Sequence, residues 1–69
     1  MPTYCVNKNA QTNGDHEVHD LGACSQLPEP ANRLSLGWHL DCRFAVAEAR
    51  KTYSQVNGCY RCCRPCHTS

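Results

Sequence analysis

The segment NGCYRCCRPCH, residues 57–67, places four cysteines and a histidine within eleven residues. The chain around it has 69 residues, with a single Phe and a single Trp. A domain of this size buries only about 60% of the surface that its unfolded chain exposes, so its apolar core is marginal. Small domains usually compensate with disulfides, a metal ion or a partner chain. The sequence therefore predicts one domain, residues 1–69, that is stabilised through its cysteines.

Two features favour a metal over a disulfide framework. The chain has seven cysteines, an odd number, whereas small secreted domains typically pair an even number. Its N-terminal stretch MPTYCVNKNAQTNGD also lacks the basic region and apolar run of a signal peptide. We therefore expect a cytoplasmic protein with reduced thiols, and clustered reduced Cys with His is typical of zinc sites. No apolar stretch approaches the roughly 20 residues that span a bilayer, so we expect no membrane association.

The first half of the chain predicts strands and loops. Alternation around Tyr4 and Val6 predicts a short strand, and DHEVH, 15–19, predicts a second one. Residues 21–32 contain Pro28 and Pro30 and should form a long loop. LSLGWHL, 34–40, predicts a half-buried strand, with its apolar side chains on one face: Leu34, Leu36, Trp38 and Leu40.

A helix is predicted after Asp41, which is a favourable N-cap residue. The positions at helical spacing are apolar, which predicts one buried face: Cys42, Ala45, Val46, Ala49 and Tyr53. Asn57-Gly58 should then form a turn. The expected fold is a small zinc-stabilised α+β domain, in which a short antiparallel sheet packs on one α-helix and a zinc knuckle follows at the C-terminal end.

Cys59-x-x-Cys62 supplies half of a tetrahedral zinc site, because a tight turn directs both thiolates at one ion. The same motif also occurs in redox proteins, where it follows a strand and opens a helix. Here it follows the predicted helix, which favours the metal interpretation. His19-x4-Cys24 is the best candidate for the other half, since it joins a predicted strand end to a glycine-containing turn.

The exact ligand set stays open at this point. Cys66 is the first reserve, followed by His67 and His16 as alternatives for the fourth ligand. Cys62 and Cys63 are adjacent, so we expect only one of them to bind. His16 should lie on the side of its strand opposite His19. Cys42 is expected to be a small buried thiol of the helix.

The pattern resembles the Ada-like metal-binding domains, through H-x4-C at 19–24, the stretch NRLSLGWHL, a helix with AVAEA, and NGCYRC. It is also similar to zinc-binding extensions of some bacterial nucleases. The whole chain resembles small uncharacterised bacterial Cys/His-rich proteins, which carry no function to transfer. The Ada resemblance implies one zinc per chain at His19, Cys24, Cys59 and Cys62. It does not extend to alkyl transfer, and the additional Cys63, Cys66 and His67 depart from the pattern.

These observations predict a non-enzymatic interaction module with structural zinc and no small-molecule substrate. Its partner would be a protein or a nucleic acid. Residues 42–69 carry five basic residues and one acidic residue, a net charge of +4, against −3 for residues 1–41. Tyr60, Arg61 and Arg64 are the candidate nucleic-acid contacts, because aromatics interleaved with Arg can stack on bases. Thiol-based metal or redox handling is a further alternative, whereas an enzyme would need an open metal position and a pocket.

Overall fold

The described part of the chain forms a four-stranded sheet and one α-helix, so the predicted α+β class is confirmed. The computed structural model describes residues 2–68. The strands are β1 (Thr3–Asn7), β2 (His16–Asp20), β3 (Arg33–Trp38) and β4 (Val56–Gly58), and the helix is α1 (Cys42–Ala49). Two short 3-10 helices, Pro30–Asn32 and Arg64–Cys66, complete the described part of the chain. No helix within residues 2–68 has the length and apolar character needed to cross a bilayer.

The strand order is β3-β1-β2-β4. β1 pairs antiparallel with β2 and with β3, whereas β4 pairs parallel with β2. The sheet is therefore mixed and not purely antiparallel. The turn predicted at Asn57-Gly58 is wrong, because these two residues lie in β4. A parallel pair requires a long crossover connection, and here the chain passes through β3 and α1 between β2 and β4.

The core lies between α1 and the sheet, and α1 contacts all four strands. Alternating positions of β1 and β2 supply Tyr4, Val6 and Val18, while the apolar stripe of α1 supplies Ala45, Val46 and Ala49. The predicted buried face of the helix is therefore confirmed for Cys42, Ala45, Val46 and Ala49, but not for Tyr53. Asp41 is its N-cap, since the carboxylate accepts a hydrogen bond from the Arg43 backbone N–H at 2.8 Å. The helix ends at Ala49, before Tyr53.

The single apolar face predicted for residues 34–40 is wrong beyond Leu36. Leu34 lies opposite Val6, on the core side of the sheet. A bulge then inserts one extra residue into β3, so Trp38 lies opposite Thr3, on the other side. Gly37 adopts a φ of +78° beside the bulge. Trp38 is consequently 45% exposed and Leu40 is 70% exposed.

Candidate metal centre

Four side chains from two distant parts of the chain converge beside β2. The donor atoms of His19, Cys24, Cys59 and Cys62 all lie within 4.8 Å of one another. Within residues 2–68, this is the single group of three or more His, Cys, Asp or Glu side chains with that arrangement. His19 and Cys59 are buried, and Cys24 and Cys62 are half-buried. These four donors could hold one metal ion.

A tight turn after β2 brings Cys24 next to His19. The backbone N–H groups of Ala23 and Cys24 both donate to the Asp20 carbonyl, at 3.2 and 3.0 Å. The Asp20 carboxylate accepts a further hydrogen bond from the Gly22 N–H at 2.9 Å. As a result, Cys24 Sγ lies 3.5 Å from His19 Nδ1, although the two residues are five positions apart. The H-x4-C spacing therefore corresponds to one strand end and one turn.

The second pair of donors follows β4. The Cys59 N–H donates to the Val18 carbonyl at 2.9 Å, which fixes Cys59 next to β2. The chain then turns, and the Cys63 N–H donates to the Cys59 carbonyl at 2.8 Å. This turn brings Cys62 Sγ to 3.9 Å from His19 Nδ1, and the Asp20 N–H donates to the same sulfur at 3.3 Å. Parallel pairing of β4 with β2 is thus what unites the two halves of the site.

Three of the six distances between donor atoms are close to those of a tetrahedral ion. With metal–sulfur bonds of about 2.3 Å and metal–nitrogen bonds of about 2.0–2.1 Å, two sulfurs lie about 3.8 Å apart, and a sulfur and a nitrogen about 3.6 Å apart. The Cys24 and Cys59 sulfurs are separated by 3.9 Å. The separations of 3.5 and 3.9 Å from His19 Nδ1 to Cys24 and Cys62 bracket the expected value. A single ion can therefore contact all four donors with little rearrangement.

Glu17 lies beside the histidine of this cluster. Its Oε1 lies 3.6 Å from His19 Nε2, while His19 Nδ1 faces the sulfurs. A carboxylate on the far nitrogen is the usual outer partner of a metal-binding imidazole. Burial lowers the pKa of His19, an effect that Glu17 partly opposes. The neutral ring needed for coordination is thereby favoured. Sequence reasoning did not assign this role to Glu17, although its position two residues before His19 on a strand suggests it.

Burial keeps the neighbouring thiols protonated without a metal. It raises the pKa of Cys62, and it raises the pKa of Cys63 to about 11. Metal binding by such thiols must displace protons. Cys63 is only 1% exposed and packs in the core, whereas the adjacent Cys62 faces the donor cluster. The two neighbours therefore diverge, as their adjacency predicts.

The reserve ligands lie elsewhere. His16 stacks on the ring of Tyr53, with 3.8 Å between centroids, and its Nδ1 lies 2.9 Å from the Asn7 carbonyl oxygen. His67 Nδ1 lies 3.0 Å from the Gly58 carbonyl oxygen. Cys66 forms a disulfide with Cys42, with 6.4 Å between the Cα atoms. It is therefore not a free donor, and its assignment as first reserve ligand is wrong.

The Cys42–Cys66 disulfide also corrects two other expectations. Cys42 lies on the buried stripe of α1 as predicted, but it is not a free thiol. The bond ties the 3-10 helix Arg64–Cys66 to the start of α1. Five cysteines stay free, namely Cys5, Cys24, Cys59, Cys62 and Cys63. A cytoplasmic location was expected together with reduced thiols. In this structure the cysteines are not all reduced, because two of them form a disulfide.

The candidate nucleic-acid contacts are all on the surface. Tyr60 is 57% exposed, and Arg61 and Arg64 are exposed as well. The Arg64 guanidinium lies 4.8 Å from the centroid of the Tyr60 ring, and its Nη2 donates to the Tyr60 hydroxyl at 3.4 Å. The two residues therefore form one cation–π pair beside the donor cluster.

Comparisons of the chain with protein-family models, with curated proteins and with solved structures give no match. The resemblance to Ada-like domains therefore stays a prediction. It has one structural counterpart, the convergence of His19, Cys24, Cys59 and Cys62. The chemistry of the site follows from that donor set and its surroundings.

Proposed function

We propose that His19, Cys24, Cys59 and Cys62 bind one Zn²⁺ ion, and that this ion stabilises a small interaction module. The observation that carries the proposal is the convergence of four donors within 4.8 Å. Three thiolates and one imidazole around a tetrahedral ion form a donor set that suits zinc. The proposal makes the ion a link between the end of β2 and the segment after β4.

A structural role follows from the number of protein donors. A catalytic zinc site usually has three protein ligands and keeps one position for water, whereas four protein ligands leave no such position. Structural zinc in finger peptides contributes an apparent binding free energy of about 10–16 kcal/mol at neutral pH. That exceeds the few kcal/mol that the core of so small a domain supplies by itself. Zinc would thus be required for folding and not for chemistry.

A specific observation favours nucleic acid as the partner. The exposed Tyr60 ring and the Arg64 guanidinium offer a stacking surface and a phosphate contact on the segment that also holds Cys59 and Cys62. A thiol buffer or redox carrier receives less support, because the free thiols of Cys5 and Cys63 are each only 1% exposed.

Native mass spectrometry combined with NMR tests the zinc proposal. The protein as isolated should carry one zinc ion per chain, and Co²⁺ substituted for it should give the absorption of a tetrahedral thiolate site. Removal of the metal with a strong chelator should abolish the dispersion of the amide spectrum, and added Zn²⁺ should restore it. A dispersed spectrum that survives complete metal removal would show that the fold does not depend on zinc.

A further inference from the structure

A small cleft opens beside the candidate metal centre. Its volume is about 210 Å³, and His19 and Cys59 of the donor cluster form one wall. The other lining side chains are all polar or aromatic: Gln11, Glu17, Gln26, Tyr60 and Arg61. Pockets for drug-sized ligands measure roughly 300–1,000 Å³. This cleft is smaller than those, and its volume suits one group of the size of a nucleobase.

Opposite charges line the cleft without neutralising each other. Among the described residues, Glu17 and Arg61 form no ion pair with one another, and the ion-pair contact of Glu17 is with His19. Glu17 Oε1 lies 3.6 Å from His19 Nε2, so the carboxylate stands between the donor cluster and the cleft. A ligand in this cleft would meet a carboxylate that accepts hydrogen bonds and a guanidinium that donates them.

The aromatic side of the cleft adds a stacking surface. Tyr60 lines the cleft and stays 57% exposed, while Arg64 lies against its ring. Single-stranded nucleic acids are recognised by stacking unpaired bases on aromatic rings and by hydrogen bonds to their exposed edges. Arg64 is exposed and lies outside the cleft lining, so its guanidinium is free to contact a phosphate of a strand bound there.

We propose that this cleft binds an unpaired guanine of single-stranded nucleic acid. Guanine presents adjacent N1–H and N2–H donors, which match the Glu17 carboxylate. Its O6 and N7 acceptors match the Arg61 guanidinium. Cytosine offers a carboxylate a single exocyclic amino group, and adenine and thymine lack the paired donors. This inference rests on the proposed metal centre, since the ion holds the wall formed by His19 and Cys59.

Fluorescence anisotropy with short oligodeoxythymidines tests the proposal on the zinc-loaded protein. The oligonucleotides carry one central dG, dA, dC or deoxyinosine, and deoxyinosine lacks only the N2 amino group. We expect roughly tenfold tighter binding of the dG oligonucleotide than of the dA one. Deoxyinosine should bind less tightly than dG. Equal affinity for all four oligonucleotides would overturn the proposal.

Matched variants separate base recognition from charge. Glu17→Gln and Arg61→Gln should each reduce the preference for dG to less than about threefold, because each removes one of the paired contacts. The controls Glu29→Gln and Arg50→Gln make the same charge changes at exposed positions outside the cleft. They should alter the overall affinity and keep the preference. If cleft and control variants behave alike, binding is purely electrostatic and the proposal is wrong.

The zinc content of each protein, measured by native mass spectrometry, distinguishes the two proposals. One zinc per chain without any base preference would overturn guanine recognition and leave the structural zinc site intact. A dG preference that persists in protein shown to fold without metal would refute the structural role of zinc and its hold on the cleft wall, while recognition by Glu17 and Arg61 would stand.

Discussion

Gly58 and Cys66 are in direct contact, because the C-terminal segment crosses the end of β4. A Cβ atom at position 58 would lie 2.6 Å from Cys66 Cβ and 2.8 Å from the Cys63 carbonyl oxygen. Neither group can move freely, since Cys66 is bonded to Cys42 and the Cys63 carbonyl accepts a hydrogen bond from the Cys66 N–H at 2.9 Å. Glycine at position 58 is therefore required for packing and not for a turn.

Gly58→Ala should destabilise the domain by about 1–3 kcal/mol, because overpacking forces the surrounding backbone to shift. Urea unfolding of the zinc-loaded protein measures this change. Gly22→Ala is the matched control, since the nearest atom to its added Cβ is Asp20 Oδ1 at 3.7 Å. Its effect should stay within about 0.5 kcal/mol. Equal effects of the two substitutions would contradict the close packing at Gly58.

Cys59 is a proposed ligand and Cys63 is a core thiol, so the same substitution should affect them differently. Cys59→Ser should abolish zinc binding, because it removes one of the four converging donors. Cys63→Ser should keep one zinc per chain and lower the free energy of unfolding by about 1–3 kcal/mol, since it places a hydroxyl at a position that is 1% exposed. Metal content by mass spectrometry and stability by denaturant titration distinguish the two. Loss of zinc in Cys63→Ser would contradict the ligand assignment.

Local sequence patterns predict much of the fold. The features that they do not predict depend on pairing between residues far apart in the chain. The apolar spacing of Cys42, Ala45, Val46 and Ala49 predicts α1, and Asp41 marks where it begins. β4 has only three residues, and its Asn57-Gly58 is typical of a turn. It becomes a strand by pairing with β2, which lies far earlier in the chain. The reversal of Trp38 likewise depends on a bulge that only the pairing with β1 reveals.

The candidate site also combines features that local spacing predicts with features that depend on distant contacts. The spacings His19-x4-Cys24 and Cys59-x-x-Cys62 single out the four donors that the structure brings together. The disulfide was missed, because it depends on where the segment after Cys63 crosses α1. Helical spacing predicts the burial of Cys42 correctly and carries no information about a bonding partner 24 residues away. Glu17 and His19 are two residues apart on β2, so a strand places both side chains on one face, but their spacing alone does not give the contact between Oε1 and Nε2.

Asp41 should make stability depend on pH in the acid range. Hydrogen bonds from Arg43 lower the pKa of Asp41 below its ordinary value of 3.8. The stabilisation by the charged carboxylate is thus fully present above the unfolded-state pKa, and it is lost as the pH falls through the folded-state pKa. Wild type should therefore exceed Asp41→Asn in thermal stability by a constant margin above about pH 5, and the margin should narrow below about pH 4.

Thermal unfolding at a series of pH values measures this margin. Arg43→Gln is the control background, because it removes the side-chain hydrogen bonds that lower the pKa of Asp41. In the Arg43→Gln background, Asp41→Asn should lower the thermal stability at neutral pH by less than it does in the wild type. A margin that widens on acidification would contradict the assigned direction of the pKa shift.

The Cys42–Cys66 disulfide should stabilise the protein independently of the metal. It closes a loop with a sequence separation of 24, for which the chain-entropy model gives about 3.5 kcal/mol. The double variant Cys42→Ala/Cys66→Ala should lose about that much free energy of unfolding and still bind one zinc ion, because neither sulfur belongs to the donor cluster. Alkylation of the unfolded, metal-free wild type should modify five cysteines without reductant and seven with it. Seven modified cysteines without reductant would show that the bond does not form, and loss of zinc from the double variant would show that it is needed to assemble the site.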